Sequence, residues 1–130
     1  MDGFAFARLC GLGGRSTALP EQVADQMKQL LAEYNKTEQK TLEELLEFHD
    51  AFESTHPFQD GNGRVGRLLL FKECLRNNIV PFIIGDELKM FYYRGLHEWK
   101  NEPGYLMDTC LTAQDQFKQI MDYFRIPYEK

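Results

Sequence analysis

The chain has 130 residues and a mass of 15.2 kDa, the size of one ordinary domain. Hydrophobic residues make up 43% and charged residues 27%, the balance of a folded globular chain rather than a disordered one. Its longest apolar runs, Leu68–Phe71 and Ile79–Ile84, fall far short of the ~20 residues of a membrane span, which excludes a membrane protein. The net charge of -5 argues against nonspecific nucleic-acid binding, which needs basic patches to neutralise phosphates. Cys10, Cys74 and Cys110 are widely spaced, odd in number and lack metal-ligand spacing, so they read as reduced thiols of a cytoplasmic protein. The N-terminus has no apolar core of a secretory signal.

In chain order, residues 1–19 contain four glycines and no periodicity, and read as an irregular N-terminal arm. Residues 20–130 read as one helical domain. Pro20 suits a first helical turn, and Val23, Met27, Leu30, Leu31 and Tyr34 then recur at three- and four-residue steps. Thr41 and Glu44 form a capping box for a second helix, whose face carries Leu42, Leu45, Leu46, His49 and Phe52. Pro57 disfavours helical geometry at His56, which predicts a stop near Ser54 or Thr55. Glu43, Glu44 and Glu47 read as a solvated face of that helix.

A third helix is expected from Arg64 to Asn77. It is apolar on several sides, which predicts a central position with neighbours all round. Ile79–Ile84 contains Pro81 and reads as a packed connector, not a ladder strand. Asp86 is expected to cap a fourth helix through Trp99, and Asn101–Gly104 to break it. A fifth runs from about Tyr105 to Phe124, with Pro127 beyond. About five helices and no strand make the fold class all-α.

The chemistry concentrates in residues 56–67, His-Pro-Phe-Gln-Asp-Gly-Asn-Gly-Arg-Val-Gly-Arg. Arg64 and Arg67 lie one turn apart at a helix start, the positive end of the helix dipole, where cations are disfavoured. Gly66 in that turn costs about 1 kcal/mol relative to alanine. Local conflicts of this kind mark functional sites. A bound anion reverses the argument, since free N–H groups and two guanidinium forks then favour phosphate. His56 is placed as a general base and Asp60 as a ligand for a hard metal, while Phe58 is the apolar residue expected to pin the loop.

Three generic motifs compete for these residues. Gly61-x-Gly63-x-x-Gly66 matches the dinucleotide fingerprint, but a helix precedes it where a strand is required. Gly61 to Gly66 has P-loop spacing, yet Arg67-Leu68 replaces Lys-Ser/Thr. A calcium loop beginning at Asp60 puts Arg64 on a ligand position and Phe71 in place of the final glutamate.

The segment resembles the signature of the Fic family, His-x-Phe-x-(Asp/Glu)-Gly-Asn-Gly-Arg-x-x-Arg, with every specified position met. The resemblance runs from about Gly13 to Tyr128, and is to the bacterial proteins of that family, in which the loop joins the second and third helices of a helical core. It implies transfer of AMP from Mg-ATP to a hydroxyl of a target protein. In those terms His56 takes the proton of the attacking hydroxyl and Asp60 holds magnesium. Backbone N–H groups of Gly61, Asn62 and Gly63 form an anion nest, and Arg64 and Arg67 clamp the outer phosphates.

Two features depart from the family pattern. The family's upstream helices and β-hairpin flap have no counterpart before Pro20, so the chain reads as N-terminally truncated, with residues 1–19 as a flap remnant. Phe71 stands where many relatives place an asparagine near the base, and Tyr92 and Tyr93 are candidates for a base-pocket wall or for simple core. Thr17-x-x-x-Glu21-Gln22 only partly matches the family's self-inhibitory segment, and Pro20 inside it is unsuited to a helix. Two alternatives remain. One is a Doc-like kinase that transfers the γ-phosphate, against which Gly63 and Arg64 argue. The other is a non-catalytic remnant that binds nucleotide or a partner.

Overall fold

The computed structural model describes residues 19–58 and 60–128. The N-terminal arm except Leu19, Cys10, Thr17 of the partial inhibitory match, and Gln59 lie outside the described residues. Among the described residues there are five α-helices and no strand: α1 Val23–Tyr34, α2 Leu42–Thr55, α3 Asn62–Arg76, α4 Lys89–Glu98 and α5 Gly104–Tyr123. The all-α expectation holds, with the motif between the second and third helices.

Sequence signals set most of the helix ends. Pro20 opens a 3-10 turn, Pro20–Gln22, that leads into α1. Thr41 and Glu44 form the expected capping box, with Glu44 N–H donating to Thr41 Oγ1 at 3.2 Å and Thr41 N–H to Glu44 Oε1 at 3.1 Å. The turn before α2 is tied down by Lys40. Its buried ammonium donates to the carbonyls of Tyr34 and Thr37, and its N–H donates to Asn77 Oδ1 at 2.8 Å. Asn77 in turn donates to the Glu73 carbonyl at 2.8 Å, so the residue that ends α3 also anchors the α1–α2 turn.

The core comprises Leu45 and Leu46 of α2, Leu70 and Cys74 of α3, Phe82 of the connector, Tyr92 and Leu96 of α4, and Leu106 and Cys110 of α5. Burial pushes the Cys74 and Cys110 thiols up to about 12. The connector is strand-free, as Pro81 predicts, and Gln114 of α5 holds it by donating to the Val80 carbonyl at 2.9 Å.

Several expectations are corrected. The third helix is not surrounded: Leu68 is 70% and Leu75 57% exposed, and the helix packs chiefly on α2 through Gly66, Leu70 and Cys74. It also begins two residues early, at Asn62, because Gly61 supplies the left-handed turn that starts it. Asp86 does not cap the fourth helix; it lies within the 3-10 turn Asp86–Leu88 and pairs with Lys89 at 3.4 Å. Glu47 is more than solvated surface, since its Oε2 accepts from Trp99 Nε1 at 2.7 Å. Leu31 of α1, Ile120 of α5 and Phe124 just beyond it are exposed, so these apolar residues do not join the core.

Candidate functional site

The motif folds around one side chain. Asn62, buried at the first position of α3, accepts from the Phe58 N–H at 2.8 Å through Oδ1 and donates to the Phe58 carbonyl at 2.6 Å through Nδ2. This pair of bonds ties Phe58 to the start of α3. Phe58, the residue expected to pin the loop, is 46% exposed and meets the Phe52 ring at a centroid distance of 6.5 Å. The tie therefore rests on Asn62, with Phe58 making a partial contact.

His56 terminates α2 in the left-handed region, φ 54°, with its N–H bonded to the Phe52 carbonyl at 3.0 Å. That conformation is costly for a non-glycine residue and recurs at functional sites. The residue is buried, and desolvation holds the imidazole below its ordinary value, with the Glu53 backbone carbonyl opposing. Desolvation thus favours the neutral imidazole, the state a base requires.

Gly61, at φ 78°, turns the chain into α3. The first-turn amides of Asn62 and Gly63 follow directly, the N–H groups that an α-helix leaves without intrahelical partners. Both arginines fold back toward this end. Arg64 Nη2 lies 3.4 Å from the position a Cβ on Gly61 would take, and Arg67 Nη1 lies 3.0 Å from the equivalent position on Gly63. Two cations and a helix N-terminus thus converge without a carboxylate in the first turn of α3. Asp60 is exposed on the approach, its Oδ1 accepting from the Gly61 N–H at 2.8 Å.

Beside the arginines lies a cleft of about 380 Å³ whose other walls include Leu68, Phe71, Phe82 and Ile84. Phe71 is on this wall and packs edge-on against Phe117. Tyr92 is buried in the core and not a cleft wall, while Tyr93 packs against that core.

Sequence reasoning missed the acidic residues beneath the motif. Asp50 and Glu53 of α2 are each 1% exposed, next to fully buried His49. The usable signal was spacing: Glu53 follows His49 by one helical turn and shares its face with Phe52. The glycine at 66 is its complement, because a Cβ there would lie 2.2 Å from Glu53 Oε1 and 3.2 Å from Phe52 Cδ1. Gly66 is therefore explained by helix packing, separately from any anion.

The Fic/DOC family model matches residues 5–73. Similar proteins include protein adenylyltransferase fic-1 of Caenorhabditis elegans, 35% identical over 88 residues that make up 65% of this chain and 17% of the relative. Its namesake in Caenorhabditis briggsae is 48% identical over 42 residues, 32% of this chain and 8% of the relative. The probable protein adenylyltransferase aq_aa38 of Aquifex aeolicus (strain VF5) is 54% identical over 33 residues, 25% of this chain and 10% of the relative. The chain spans less than a fifth of the length of these relatives. No helix among the described residues is long and apolar enough to cross a membrane. With the family model covering more than half of its length and the motif intact, the chain belongs to the Fic/DOC family.

Proposed function

We propose that this protein is an adenylyltransferase that moves AMP from Mg-ATP to a hydroxyl side chain of a target protein. The observation that carries the reading is the convergence of Arg64, Arg67 and the first-turn amides of α3, six residues along the chain from buried His56. The relatives named protein adenylyltransferases support the same reaction class.

In this reading the triphosphate lies on the N-terminus of α3. The amides of Asn62 and Gly63 donate to phosphate oxygens, the Gly61 amide joins them on release from Asp60 Oδ1, and the two guanidinium groups hold the outer phosphates. The target hydroxyl attacks the α-phosphorus, the bond to the pyrophosphate oxygen breaks, and the hydroxyl proton passes to His56. Catalysis of this kind rests on positioning and charge stabilisation. The apolar cleft that continues from the arginines past Phe71 and Phe82 receives the nucleoside.

The residues present fit magnesium. Among the described residues no cluster of three or more His, Cys, Asp or Glu stands ready to cage a metal. Magnesium instead takes one or two carboxylates plus substrate phosphates, and exposed Asp60 offers one carboxylate at the phosphate site. When bound, the ion neutralises phosphate charge.

The test uses Mg-ATP labelled at either the α- or the γ-phosphate with bacterial lysate as the source of targets. Protein-bound α-label that is lost in His56→Ala supports AMP transfer. Protein-bound γ-label alone assigns a kinase, and ATP binding without any transfer assigns a nucleotide-binding remnant.

A further inference from the structure

Beneath the anion site lies a polar cluster that the transfer reaction does not use. His49 and Glu53 come from one face of α2, Tyr92 from α4, and each is 1% exposed. His49 Nε2 and the Tyr92 hydroxyl are hydrogen-bonded at 2.5 Å, and His49 Nε2 lies 3.9 Å from Glu53 Oε1. The Glu53 carboxylate fills the space left by the missing side chain of Gly66, one residue before Arg67. Arg67 itself lies over the Tyr92 ring, its Cζ 5.8 Å from the centroid. Burial and the Glu53 charge raise the Tyr92 hydroxyl well above its ordinary value, while the nearby Arg67 charge works against the rise.

We propose that Tyr92, braced by His49 and Glu53, holds the Arg67 guanidinium over the N-terminus of α3, so that these three buried side chains are positioning residues for the anion site. The proposal rests on the anion-site reading above. An arginine left to its own long side chain samples many rotamers, and a site gains from fixing it before the ligand arrives. Burying a hydroxyl and an imidazole beside a carboxylate is unfavourable unless they are satisfied, and here the hydroxyl and imidazole bond each other with the carboxylate 3.9 Å from the same imidazole nitrogen. A core that accepts such a cluster directly under one cation, and removes the side chain at residue 66 to admit the carboxylate, is organised around that cation. Tyr92 is the link that touches both layers, with its ring beneath Arg67 and its hydroxyl on His49.

The test has one readout free of nucleotide and one that uses it. In the 15N-labelled protein the Arg67 Nε–H signal should exchange with solvent at least about tenfold more slowly than that of exposed Arg125, and Tyr92→Phe, which keeps the ring but releases it from His49, should narrow the difference. Glu53→Gln, which keeps shape and removes charge, should speed the same exchange and serves if Tyr92→Phe does not fold. In ATP binding, Tyr92→Phe should weaken affinity about tenfold in the parent protein and less than about twofold in an Arg67→Ala background. Equal exchange at Arg67 and Arg125, unchanged protection in both variants, or additive losses in the double mutant would overturn the proposal. A parent protein that binds no ATP but shows a protected Arg67 would overturn the adenylyltransferase reading and leave the positioning role standing.

Discussion

Gly66 of α3 and Glu53 of α2 occupy one another's space: a Cβ on residue 66 would lie 2.2 Å from Glu53 Oε1. Helix propensity alone predicts that alanine at a helical glycine stabilises by about 1 kcal/mol. Here the buried carboxylate must move, and overpacking of this kind costs about 1–3 kcal/mol. Gly66→Ala should therefore lower the thermal midpoint. A raised midpoint would contradict the packing described.

Asn62 braces the loop through both polar groups of Phe58. Asn62→Ala removes two hydrogen bonds and leaves the part-buried N–H and C=O of Phe58 to water, a loss of about 1–2 kcal/mol. Asn62→Asp keeps the acceptor for the Phe58 N–H but loses the donor, and adds negative charge beside the anion site. Urea unfolding should show Ala destabilised, and ATP binding should be weaker in Asp than in the parent. Unchanged stability in Asn62→Ala would remove the brace from the account.

The pH dependence follows from His56. Burial holds its folded value below 6.5, so the neutral base persists from alkaline pH down past that point and is lost only as pH falls through the lowered value. Stability carries the same sign: the contribution is present above the unfolded value and is lost as pH falls through the folded one. The acid limb of kcat/KM should lie below pH 6.5. A limb at or above that pH would mean the imidazole is not desolvated as described.

The helices and their ends were legible because local chemistry writes them: a proline at residue 20, the Thr41–Glu44 box, Pro57 after His56, and Pro81 within an apolar run. The motif itself was legible as a conflict, two arginines at a positive helix end. What stayed hidden was which side of each helix is covered. In α3 apolar residues occur around much of the circumference, so periodicity does not distinguish exposed Leu68 and Leu75 from buried Leu70 and Cys74. Asp50 and Glu53 were hidden for the opposite reason, since acids are rarely buried and nothing local in the sequence marks these two as exceptions. The bracing by Asn62 depends on a loop shape that composition does not encode, which is why the aromatic Phe58 was the more obvious anchor.

Cys74 and Cys110 sit in the core with thiols pushed up to about 12, far from the thiolate state that reacts. A thiol reagent applied at neutral pH, followed by peptide mapping, should leave both unmodified until denaturant is added. Rapid native labelling of either would contradict their burial.

The central claim is that this site moves AMP. The most direct measurement is the mass of a target protein after incubation with unlabelled Mg-ATP and either the parent protein or His56→Ala. The account predicts a target peptide heavier by one AMP on a serine, threonine or tyrosine, present with the parent and absent with His56→Ala. A gain of one phosphate instead, or an AMP adduct that persists undiminished without the His56 imidazole, would contradict it.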